Sequence, residues 1–428
     1  MSELAVNGGK KTVTLDTSDQ WKRPVEKQKE AVCGLIEEGF ISGSGKGLPK
    51  KFEDEFRDFI GCKYVLSTSH GHLALASAFF AAGLGAGDEF ITPCIGYLGS
   101  YAGALHMGAR PVFCEPDPET LLADPEDIEK RITDKTRIIS PIHWNGRVCN
   151  MDVLLDICEK RNIILVEDAA HAHGSSWKGK KIGSFGHIAC FSLQGICPGG
   201  KPVTSGEGGI VATNDTELYE RALVYCHLHR SGALDELTNP VYKELDAQLL
   251  GWKWRLHPLE AALGRISLRN LPDRIEKFSS IRDELFDKIA DVPGIKPALN
   301  YPESEGAELY GGFAFVYDRD ELSGLEPELF AEALKAEGVP IMHHAFRQPE
   351  HLRSIFTKEL PGLWGRGHAG PANIPLPRYY KGDYPVSEYM HENTLRMAGW
   401  IEPAEGLIDQ VAEAFHRVAE NCRTLQPA

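Results

Sequence analysis

Residues 189–210 read ACFSLQGICPGGKPVTSGEGGI. An apolar run typical of a strand ends at Ser192, a glycine-rich loop follows, and Lys201 precedes a second glycine cluster. Glycine allows backbone conformations and close approaches to a ligand that other residues cannot make. A single lysine held between two glycine clusters is therefore placed to react, and Lys201 is the first candidate functional residue.

Strand and helix patterns alternate on the N-terminal side of this stretch. Strands are predicted at residues 64–66, 89–92, 110–114, 136–142 and 163–166, and helices at residues 73–82, 98–107, 125–132 and 151–161. Nearly continuous apolar strands that alternate with helices indicate a buried sheet with helices on both faces. The predicted fold class is therefore α/β, with a mixed, mostly parallel sheet.

The length of the chain predicts more than one domain. A chain of 428 residues exceeds what one hydrophobic core usually serves. Residues 1–50 carry few periodic apolar positions, which predicts an N-terminal arm, and the composition changes near residues 255–285. We therefore predict a large domain over residues 51–265 and a smaller α+β domain over residues 266–428.

Charge and cysteine content exclude several classes of function. The formal net charge of −15 argues against a nucleic-acid binder, which needs a basic face to displace counterions from phosphates. The ten cysteines show no paired C-x-x-C spacing, which favours free thiols in a reducing cytosol. No signal layout occurs at the N-terminus, and no apolar run reaches the about 20 residues that span a bilayer. We expect a soluble, cytoplasmic protein without a membrane partner.

A metal site is not predicted. His227 and His229 lie two residues apart, so a strand at this position would place both on one face. Protein metal sites usually need a third ligand, and the sequence offers no evident one near this pair.

Polar stretches follow three of the predicted strands, at residues 93–97, at residues 167–171 and from Ser192 onward. Ligands of such sheets bind at the carboxyl ends of the strands. The turn at residues 69–72 also opens an alanine-rich helix, and the unpaired N–H groups of a helix start favour a phosphate. This turn taken alone is equally compatible with an ordinary α/β turn that binds nothing.

Asp168 directly follows an apolar strand, and two interpretations are open for it. It caps the next turn, or it faces a cationic ring nitrogen, which would let a buried carboxylate stay charged. With Lys201 and the phosphate-type helix start, the second interpretation gives the three contacts suited to pyridoxal 5′-phosphate. The lysine would form a Schiff base, and the aspartate would keep the ring nitrogen protonated so that the ring is an electron sink.

Several motifs in a fixed order carry a resemblance to a known family. They are GHLAL (71–75) with GDE (87–89), GARPVF (108–113), EDAAHAHG (167–174), FSLQ (191–194) leading to Lys201 and SGEGG (205–209), and GWKWR (251–255) with EAA (260–262). In these the chain resembles the DegT/DnrJ/EryC1/StrS sugar aminotransferases, a branch of the fold type I pyridoxal-phosphate enzymes. The resemblance runs over nearly the whole chain.

The resemblance implies a role for three catalytic residues. Lys201 would be the Schiff-base lysine and then the proton shuttle of a transamination, Asp168 would pair with the ring nitrogen, and His171 would lie near the ring hydroxyl. A satisfied buried histidine is the alternative interpretation of His171.

The resemblance also implies a set of cofactor contacts. Tyr97 would lie on the ring face, although a core aromatic residue is the commoner role of a single tyrosine. The stretch around Lys253 would reach the cofactor of a neighbouring subunit. The phosphate would be held by Gly71, His72 and Ser192.

The sequence departs from the family pattern at three places. His72 stands where the family usually has threonine, and Lys253 stands where it commonly has asparagine. The loop between Ser192 and Lys201 is longer than usual, with residues 196–200 inserted. The insertion predicts either a bulged loop with Lys201 in place, which the intact spacing to SGEGG favours, or a displaced lysine.

The function that the resemblance implies is amino transfer from glutamate or glutamine to a keto sugar, often nucleotide-linked, or to a ketocyclitol. Such enzymes serve amino sugar, aminocyclitol and antibiotic biosynthesis, and a homodimer with shared sites is expected. Two alternatives stay open: dehydration or aromatisation with the same cofactor, and a non-catalytic cofactor-binding regulator. Candidates for acceptor recognition are His343, His344, Arg347, Tyr379 and Tyr380.

Overall fold

A seven-stranded sheet forms the centre of the larger part of the molecule in the computed structural model, which describes residues 3–197, 199–245, 249–306, 308–360, 362–364 and 370–425. The first nine strands along the chain are β1 (Tyr64–Thr68), β2 (Glu89–Pro93), β3 (Arg110–Cys114), β4 (Thr136–Ile139), β5 (Ile164–Asp168), β6 (Ser176–Trp177), β7 (Lys180–Lys181), β8 (Ile188–Ser192) and β9 (Gly209–Thr213). The order across the large sheet is β1-β9-β8-β5-β4-β2-β3.

The pairing within this sheet is mostly parallel. Strands β3, β2, β4, β5 and β8 pair in parallel, whereas β9 runs antiparallel to both of its neighbours, β8 and β1. Strand β9 is buried along its whole length, as expected for a strand covered on both faces. The predicted mixed, mostly parallel sheet is confirmed.

Helices cover both faces of the large sheet. They are α1 (Val25–Glu37), α2 (Gly47–Ile60), α3 (Gly71–Ala81), α4 (Ala102–His106), α5 (Pro125–Arg131), α6 (Met151–Arg161), α7 (Thr216–Cys226), α8 (Ala233–Glu236), α9 (Pro240–Lys243) and α10 (Pro258–Arg269). Helix α3 is apolar on all sides and is buried from Ala74 to Phe79. Its small residues allow close packing, since a Cβ at Gly103 would lie 2.5 Å from the Cβ of Ala76.

The C-terminal part contains a second, antiparallel sheet and its own helices. Its elements are α11 (Leu271–Ile289), β10 (Ile295–Pro297), β11 (Ser304–Glu305), β12 (Phe313–Tyr317), α12 (Pro327–Ala336), β13 (Ile341–His343), α13 (Ser354–Thr357), α14 (Pro385–Glu392), β14 (Thr394–Met397) and α15 (Leu407–Glu420). The four-stranded sheet has the order β10-β12-β14-β13, and β11 pairs instead with β6. This arrangement agrees with the predicted α+β character.

The two faces of the smaller sheet contact different parts of the molecule. Phe313, Phe315 and Leu395 pack in the core of the C-terminal part. Ala314, on the opposite face, packs in a core cluster of the large sheet. Side chains that alternate with the apolar residues of β14 are therefore directed at the larger part.

The N-terminal segment crosses between the two parts. Leu4 and Val13 are buried in the core of the C-terminal part, whereas α1 precedes α2 on the larger part. The domain bounds at residues 50 and 265 stay predictions. None of the helices that the structure describes is long and apolar enough to span a membrane.

Two predicted elements end earlier or break. Strand β4 ends at Ile139 rather than at residue 142, because Pro141 has no N–H for a sheet ladder. The predicted helix at residues 98–107 is a 3-10 turn followed by α4, and Tyr101, which separates them, has a non-helical φ of −137°.

Candidate active site

The carboxyl ends of several strands meet at one edge of the large sheet. Asp168 is the last residue of β5 and Ser192 is the last residue of β8, the adjacent parallel strand. Strand β1 enters the turn before α3 at the same region, because Gly71 lies against Ser192. The sequence-predicted residues of three separate motifs are therefore brought together.

Lys201 follows a loop that closes on itself. The N–H of Lys201 donates to the carbonyl of Gln194 at 3.0 Å, and the N–H of Gly200 donates to the carbonyl of Ile196 at 2.7 Å. The two ends of the insertion therefore lie next to each other, and the inserted residues form a closed loop between them. Pro198, in its middle, lies outside the described residues.

Arg274 of α11 forms hydrogen bonds with this insertion and with the residue that follows Lys201. Its guanidinium donates to the Cys197 sulfur at 2.7 Å and to the carbonyl of Pro202 at 2.5 Å. Arg274 is itself 2 % exposed, so these bonds are formed in the protein interior. The loop that carries Lys201 is thus fixed on both sides of the lysine.

The Lys201 amine is buried and lacks a hydrogen-bond or ion-pair partner within the described ranges. The residue is 8 % exposed, and its Nζ lies 3.7 Å from the ring centroid of Tyr310. Burial lowers the pKa of Lys201 to about 7, with partial opposition from the Asp168 carboxylate. Burial therefore favours the neutral form of this amine, which is the form that acts as a nucleophile.

Asp168 is buried at the end of β5, with an exposed fraction of 2 %. Burial raises its pKa, whereas hydrogen bonds from the Ser100 hydroxyl and the Ala170 N–H, and the charge of Lys201, oppose that rise. The Ala170 N–H lies 3.1 Å from Oδ1. No ion pair of this carboxylate with a residue that the structure describes is recorded, and a cationic ligand would stabilise its charged form.

Glu167, its neighbour in sequence, has a different role. Its carboxylate accepts hydrogen bonds from the N–H groups of Gly183, Phe185 and Gly186, at 3.1, 3.2 and 2.5 Å. These bonds hold the turn that leads into β8. Glu167 is therefore a structural residue, and Asp168 alone of the two faces the site.

The Tyr310 ring contacts both His171 and Lys201. Its centroid is 4.3 Å from that of the His171 imidazole and 3.7 Å from Lys201 Nζ. The N–H of Asn145 donates to His171 Nδ1 at 3.1 Å, which leaves the ring proton on Nε2. Burial, followed by the charge of Lys201, holds the pKa of His171 well below its usual range. His171 is therefore a neutral donor through Nε2.

The turn before α3 has the geometry of a small cradle. A Cβ at Gly71 would lie 2.6 Å from the Ser192 Cβ, so only glycine fits there. His70 has a buried Nδ1 without a partner among the described residues, and His72 is exposed at the start of α3. Burial and the neighbouring His70 lower the pKa of His72. Gly71, His72 and Ser192 are thus close together, as the phosphate interpretation requires.

Tyr97 and Lys253 both present exposed side chains. Tyr97 is 62 % exposed, which excludes the alternative role of a core aromatic, and its ring lies against Gly99. Lys253 lies next to two tryptophans, Trp252 and Trp254, whose rings stack at 5.6 Å. The described contacts do not join Lys253 to Lys201, and the role of Lys253 in a neighbouring subunit's site stays a prediction.

Several site residues were missed by sequence reasoning. Tyr310 and Asn145 each precede a glycine, and nothing in their local pattern distinguishes them from ordinary turn residues. Ser100 lies in a 3-10 turn that was predicted as regular helix. Arg396 alternates with buried residues on β14, and an isolated charge in an apolar strand was the available signal for it.

The histidines that were considered as ligands have other contacts. His227 is buried, its Nε2 lies 2.8 Å from the Ser67 carbonyl, and its Nδ1 lies 3.2 Å from Arg230 Nη1. His343, His344 and Glu392 bring possible ligand atoms within 4.8 Å of one another. His343 Nε2 lies 2.8 Å from the Glu392 carbonyl, and His344 Nδ1 lies 2.8 Å from the His391 carbonyl, so one ring nitrogen of each histidine already has a hydrogen-bond partner. The absence of a metal stays a prediction.

The other candidates for acceptor recognition lie apart from the lysine. Tyr379 donates through its hydroxyl to the Pro111 carbonyl at 2.7 Å and packs against Phe113, which is a structural role. Tyr380 and Arg347 are exposed. None of the three contacts Lys201, Asp168 or His171 in the part of the chain that the structure describes.

A mixed seven-stranded sheet with a buried lysine and a buried aspartate at its carboxyl edge defines the class of fold type I pyridoxal-phosphate enzymes. An aminotransferase structure from Psychrobacter cryohalolentis has a TM-score of 0.80 to the chain at 27% identity, over 95% of this chain and 100% of that one. The prediction of this fold is confirmed.

Comparison with known sequences gives the family. The DegT/DnrJ/EryC1/StrS aminotransferase family matches residues 23–364, and the chain belongs to this family. It is 30% identical to a putative L-glutamine:3-amino-2,3-dideoxy-scyllo-inosose aminotransferase of Streptoalloteichus tenebrarius, over 99% of this chain and 100% of that protein. It is 35% identical to GDP-perosamine synthase of Escherichia coli O157:H7, over 60% of this chain and 67% of that protein.

Proposed function

We propose that the chain binds pyridoxal 5′-phosphate on Lys201 and transfers an amino group from glutamine or glutamate to a ring ketone. The observation that carries the proposal is the buried Lys201 amine, whose pKa burial lowers, beside the buried Asp168 carboxylate. Among acceptors, a ketocyclitol is favoured over a nucleotide-linked sugar. The similar inosose aminotransferase matches the chain over nearly its full length, whereas the perosamine synthase matches it in part.

The residues present fit this cofactor. Lys201 has an amine without a hydrogen-bond partner among the described residues, Asp168 offers a carboxylate for a cationic ring nitrogen, and the cradle at Gly71 and Ser192 is too tight for any side chain at position 71. The orphaned Nδ1 of His70 adds an unused polar atom at the same helix start. Pyridoxal phosphate, when bound, supplies an electron sink for the carbon that loses its proton.

The chain's own residues divide the work of the reaction. Lys201 Nζ would hold the cofactor, and its amine would carry a proton between two carbon positions. Asp168 holds the proton of the ring nitrogen through its carboxylate. His171 donates from Nε2 and, being neutral, adds no positive charge next to Lys201.

A homodimer is part of the proposal. Leu250 and Trp252 are 68% and 56% exposed, and both lie shortly before Lys253 in the sequence. Large exposed apolar side chains next to each other are typical of a surface that another chain covers. A second copy at this surface would bring Lys253 to the partner's phosphate cradle, where an ammonium suits a phosphate.

The non-catalytic alternative depended on a displaced lysine. The loop closure between Lys201 and Gln194 removes that argument, because the insertion returns to its starting point. The dehydrating and aromatising alternatives have no specific observation in their favour. Amino transfer is therefore the function that the geometry supports best.

A visible spectrum tests the proposal. Purified chain mixed with pyridoxal phosphate should show the absorption band of a lysine-bound cofactor, which borohydride traps and Lys201→Ala removes. Lys180→Ala, whose amine bonds to the Ser184 carbonyl, should keep the band. A band that survives Lys201→Ala would refute the assignment of the nucleophile.

The reaction itself needs a second measurement. L-glutamine or L-glutamate should convert the bound cofactor to its aminated form, and inososes and keto sugars should then reverse that conversion. A chain that forms the band but responds to no amino donor would not be an aminotransferase.

A further inference from the structure

Arg147 is a positively charged residue in the interior of the protein. It lies in the loop after β4, where every residue from position 141 to position 149 is buried, and Arg147 itself is 1% exposed. An arginine keeps its charge at every physiological pH. A buried charge costs free energy unless an opposite charge and hydrogen bonds compensate it. An anionic partner is therefore expected beside Arg147.

The guanidinium of Arg147 has no hydrogen-bond acceptor among the described residues. Its Nη1 and Nη2 atoms are both buried and both lack a partner there. Its guanidinium carbon lies 5.1 Å from the ring centroid of Trp144. A ring covers the flat face of a guanidinium, whereas the N–H groups point outward in the guanidinium plane. The terminal N–H groups of Arg147 therefore stay available to an acceptor.

Glu308 is the acidic residue whose charge acts on Arg147, but its carboxylate is bound to other groups. Its Oε1 accepts from Arg282 Nη1 at 2.9 Å and from Asn300 Nδ2 at 2.7 Å. No ion pair between Glu308 and Arg147 is recorded in the part of the chain that the structure describes. Burial lowers the pKa of Arg147 to about 10, and the charge of Glu308 opposes this shift only in part.

A second buried donor without an acceptor lies two residues before Arg147. Asn145 is 3% exposed, and its Nδ2 has no hydrogen-bond partner within the described ranges. The chain packs tightly here, since a Cβ at Gly311 would lie 2.9 Å from Asn145 Nδ2. A Cβ at Gly146 would lie 2.7 Å from the backbone nitrogen of Glu308. Buried donors of native proteins are nearly always paired, so two unpaired side chains in one loop indicate a missing acceptor.

We propose that Arg147 binds a chloride ion. A water molecule would satisfy its N–H groups but would leave the charge without a counterion. A phosphate or a substrate carboxylate needs an opening to solvent, whereas residues 141–149 are all buried. A monatomic anion meets both requirements. The proposal goes beyond amino transfer, because neither the cofactor nor an amino donor takes part in it.

The loop that carries Arg147 also contacts the candidate active site. The backbone N–H of Asn145 donates to His171 Nδ1 at 3.1 Å. An anion that compensates Arg147 stabilises this loop in its folded position, because it binds the folded chain and not the unfolded one. Chloride at Arg147 therefore supports the hydrogen bond that orients His171.

The first test locates the ion. Bromide replaces chloride at anion sites and is visible by its anomalous X-ray scattering. Crystals of the wild-type protein grown in sodium bromide should show an anomalous peak within hydrogen-bonding distance of Arg147 Nη1 and Nη2. Peaks at exposed arginines alone would overturn the proposal.

The second test measures stability by urea unfolding in sodium chloride and in equal concentrations of sodium gluconate, whose anion is too large for a closed site. At ten times its dissociation constant, chloride should make the unfolding equilibrium constant of the wild type about 10-fold smaller. Arg147→Gln should lose this difference between the salts. Arg137→Gln, which removes an exposed arginine of β4, is the matched control and should keep it.

Glu308→Gln separates a bound chloride from a direct ion pair between Glu308 and Arg147. With chloride bound, removal of the nearby negative charge should lower the chloride concentration at half-saturation. With a direct ion pair, the wild type should show no specific effect of chloride, and the proposal fails. It also fails if the chloride effect persists in Arg147→Gln. If Arg147→Gln does not fold, the bromide peak of the wild type decides.

Discussion

At the scale of single residues, burial favours the neutral form of the Lys201 amine. A solvated lysine is a poor nucleophile because it holds its proton until well above neutral pH. The protein interior penalises that proton, and Asp168 restores only part of the stability of the charged form. The same burial raises the pKa of Asp168. The charge of each group affects the pKa of the other, so the two groups titrate as a coupled pair.

The first prediction concerns the pH dependence of cofactor attachment. The pKa of Lys201 falls from 10.5 to about 7, so its neutral form is available above that pH and lost below it. The rate of attachment, followed by stopped-flow absorbance, should rise with pH around a midpoint near 7 and level off above. Asp168→Asn removes the charge that raises this pKa, so its midpoint should be lower. A wild-type midpoint near 10 would show that the amine is not desolvated.

The second prediction concerns the cradle at Gly71. A methyl group there would lie 2.6 Å from the Ser192 Cβ, which requires a backbone shift. Gly71→Ala should lower the free energy of unfolding by about 1–3 kcal/mol, the usual cost of overpacking. Adding Ser192→Gly removes the nearest atom and should restore part of that loss in urea unfolding. Strictly additive losses would mean that the two positions do not meet.

At the scale of elements, a buried ion pair joins α2 to the segment after α7. Glu53 pairs with Arg230 at 2.8 Å, and both side chains are almost fully buried. Glu53 also accepts from the N–H and hydroxyl of Ser67, at 3.0 and 2.8 Å. Strand β1, which leads to the Gly71 cradle, is therefore tied to a helix and to a loop through one carboxylate.

The third prediction concerns removal of the ion pair between Glu53 and Arg230. Although burial alone would raise the pKa of Glu53, Arg230 lowers it from 4.5 to about 2. The pair therefore stabilises the fold above pH 4.5, and its contribution is lost as the pH falls from there towards 2. Glu53→Gln should cost about 3 kcal/mol of unfolding free energy at neutral pH, since it leaves Arg230 buried without its main partner. Glu53→Gln with Arg230→Met should cost less than the sum of the single changes.

The fourth prediction concerns the insertion. A Cβ at Gly195 would lie 2.7 Å from the Gly200 Cα, so the two ends of the insertion are adjacent. A chain without residues 196–199 should therefore still attach the cofactor at Lys201 with the wild-type absorption band. Because Cys197 and Gly199 line a cavity of about 510 Å³ together with Lys201 and Arg396, the preference among donors should change. Loss of the band would show that the insertion positions the lysine.

At the scale of the whole molecule, the sequence predicted the architecture better than the site. Nearly continuous apolar strands and helical stripes depend on local spacing, so α6 and β3 have the predicted bounds. The motif residues Gly71, Asp168 and Ser192 meet because strand ends meet at one edge of a parallel sheet. Arg396 and Tyr310 come from a separate sheet and loop, and no spacing along the chain reports that two distant segments share a cavity.

The fifth prediction tests the shared sites of a homodimer. Chains with Lys201→Ala and with Lys253→Ala should each lack activity, because each lacks one part of every site. If Lys253 serves the partner's cofactor, mixed dimers contain one complete site, and mixing equal amounts should restore about a quarter of the wild-type activity. No recovery in mixed dimers, verified by mass, would place Lys253 in its own subunit's site.

The antiparallel strand β9 has a consequence for how the protein is made. Strand β1 lies at the edge of the large sheet and pairs with β9 alone among the strands described. During synthesis, β1 therefore leaves the ribosome long before β9. It stays without its strand partner while the five parallel strands of the sheet are synthesised. The helix start that follows β1 cannot be fixed until β9 inserts between β1 and β8. The edge of the large sheet is thus completed late in folding, and until then β1 is an open strand of the kind that favours aggregation.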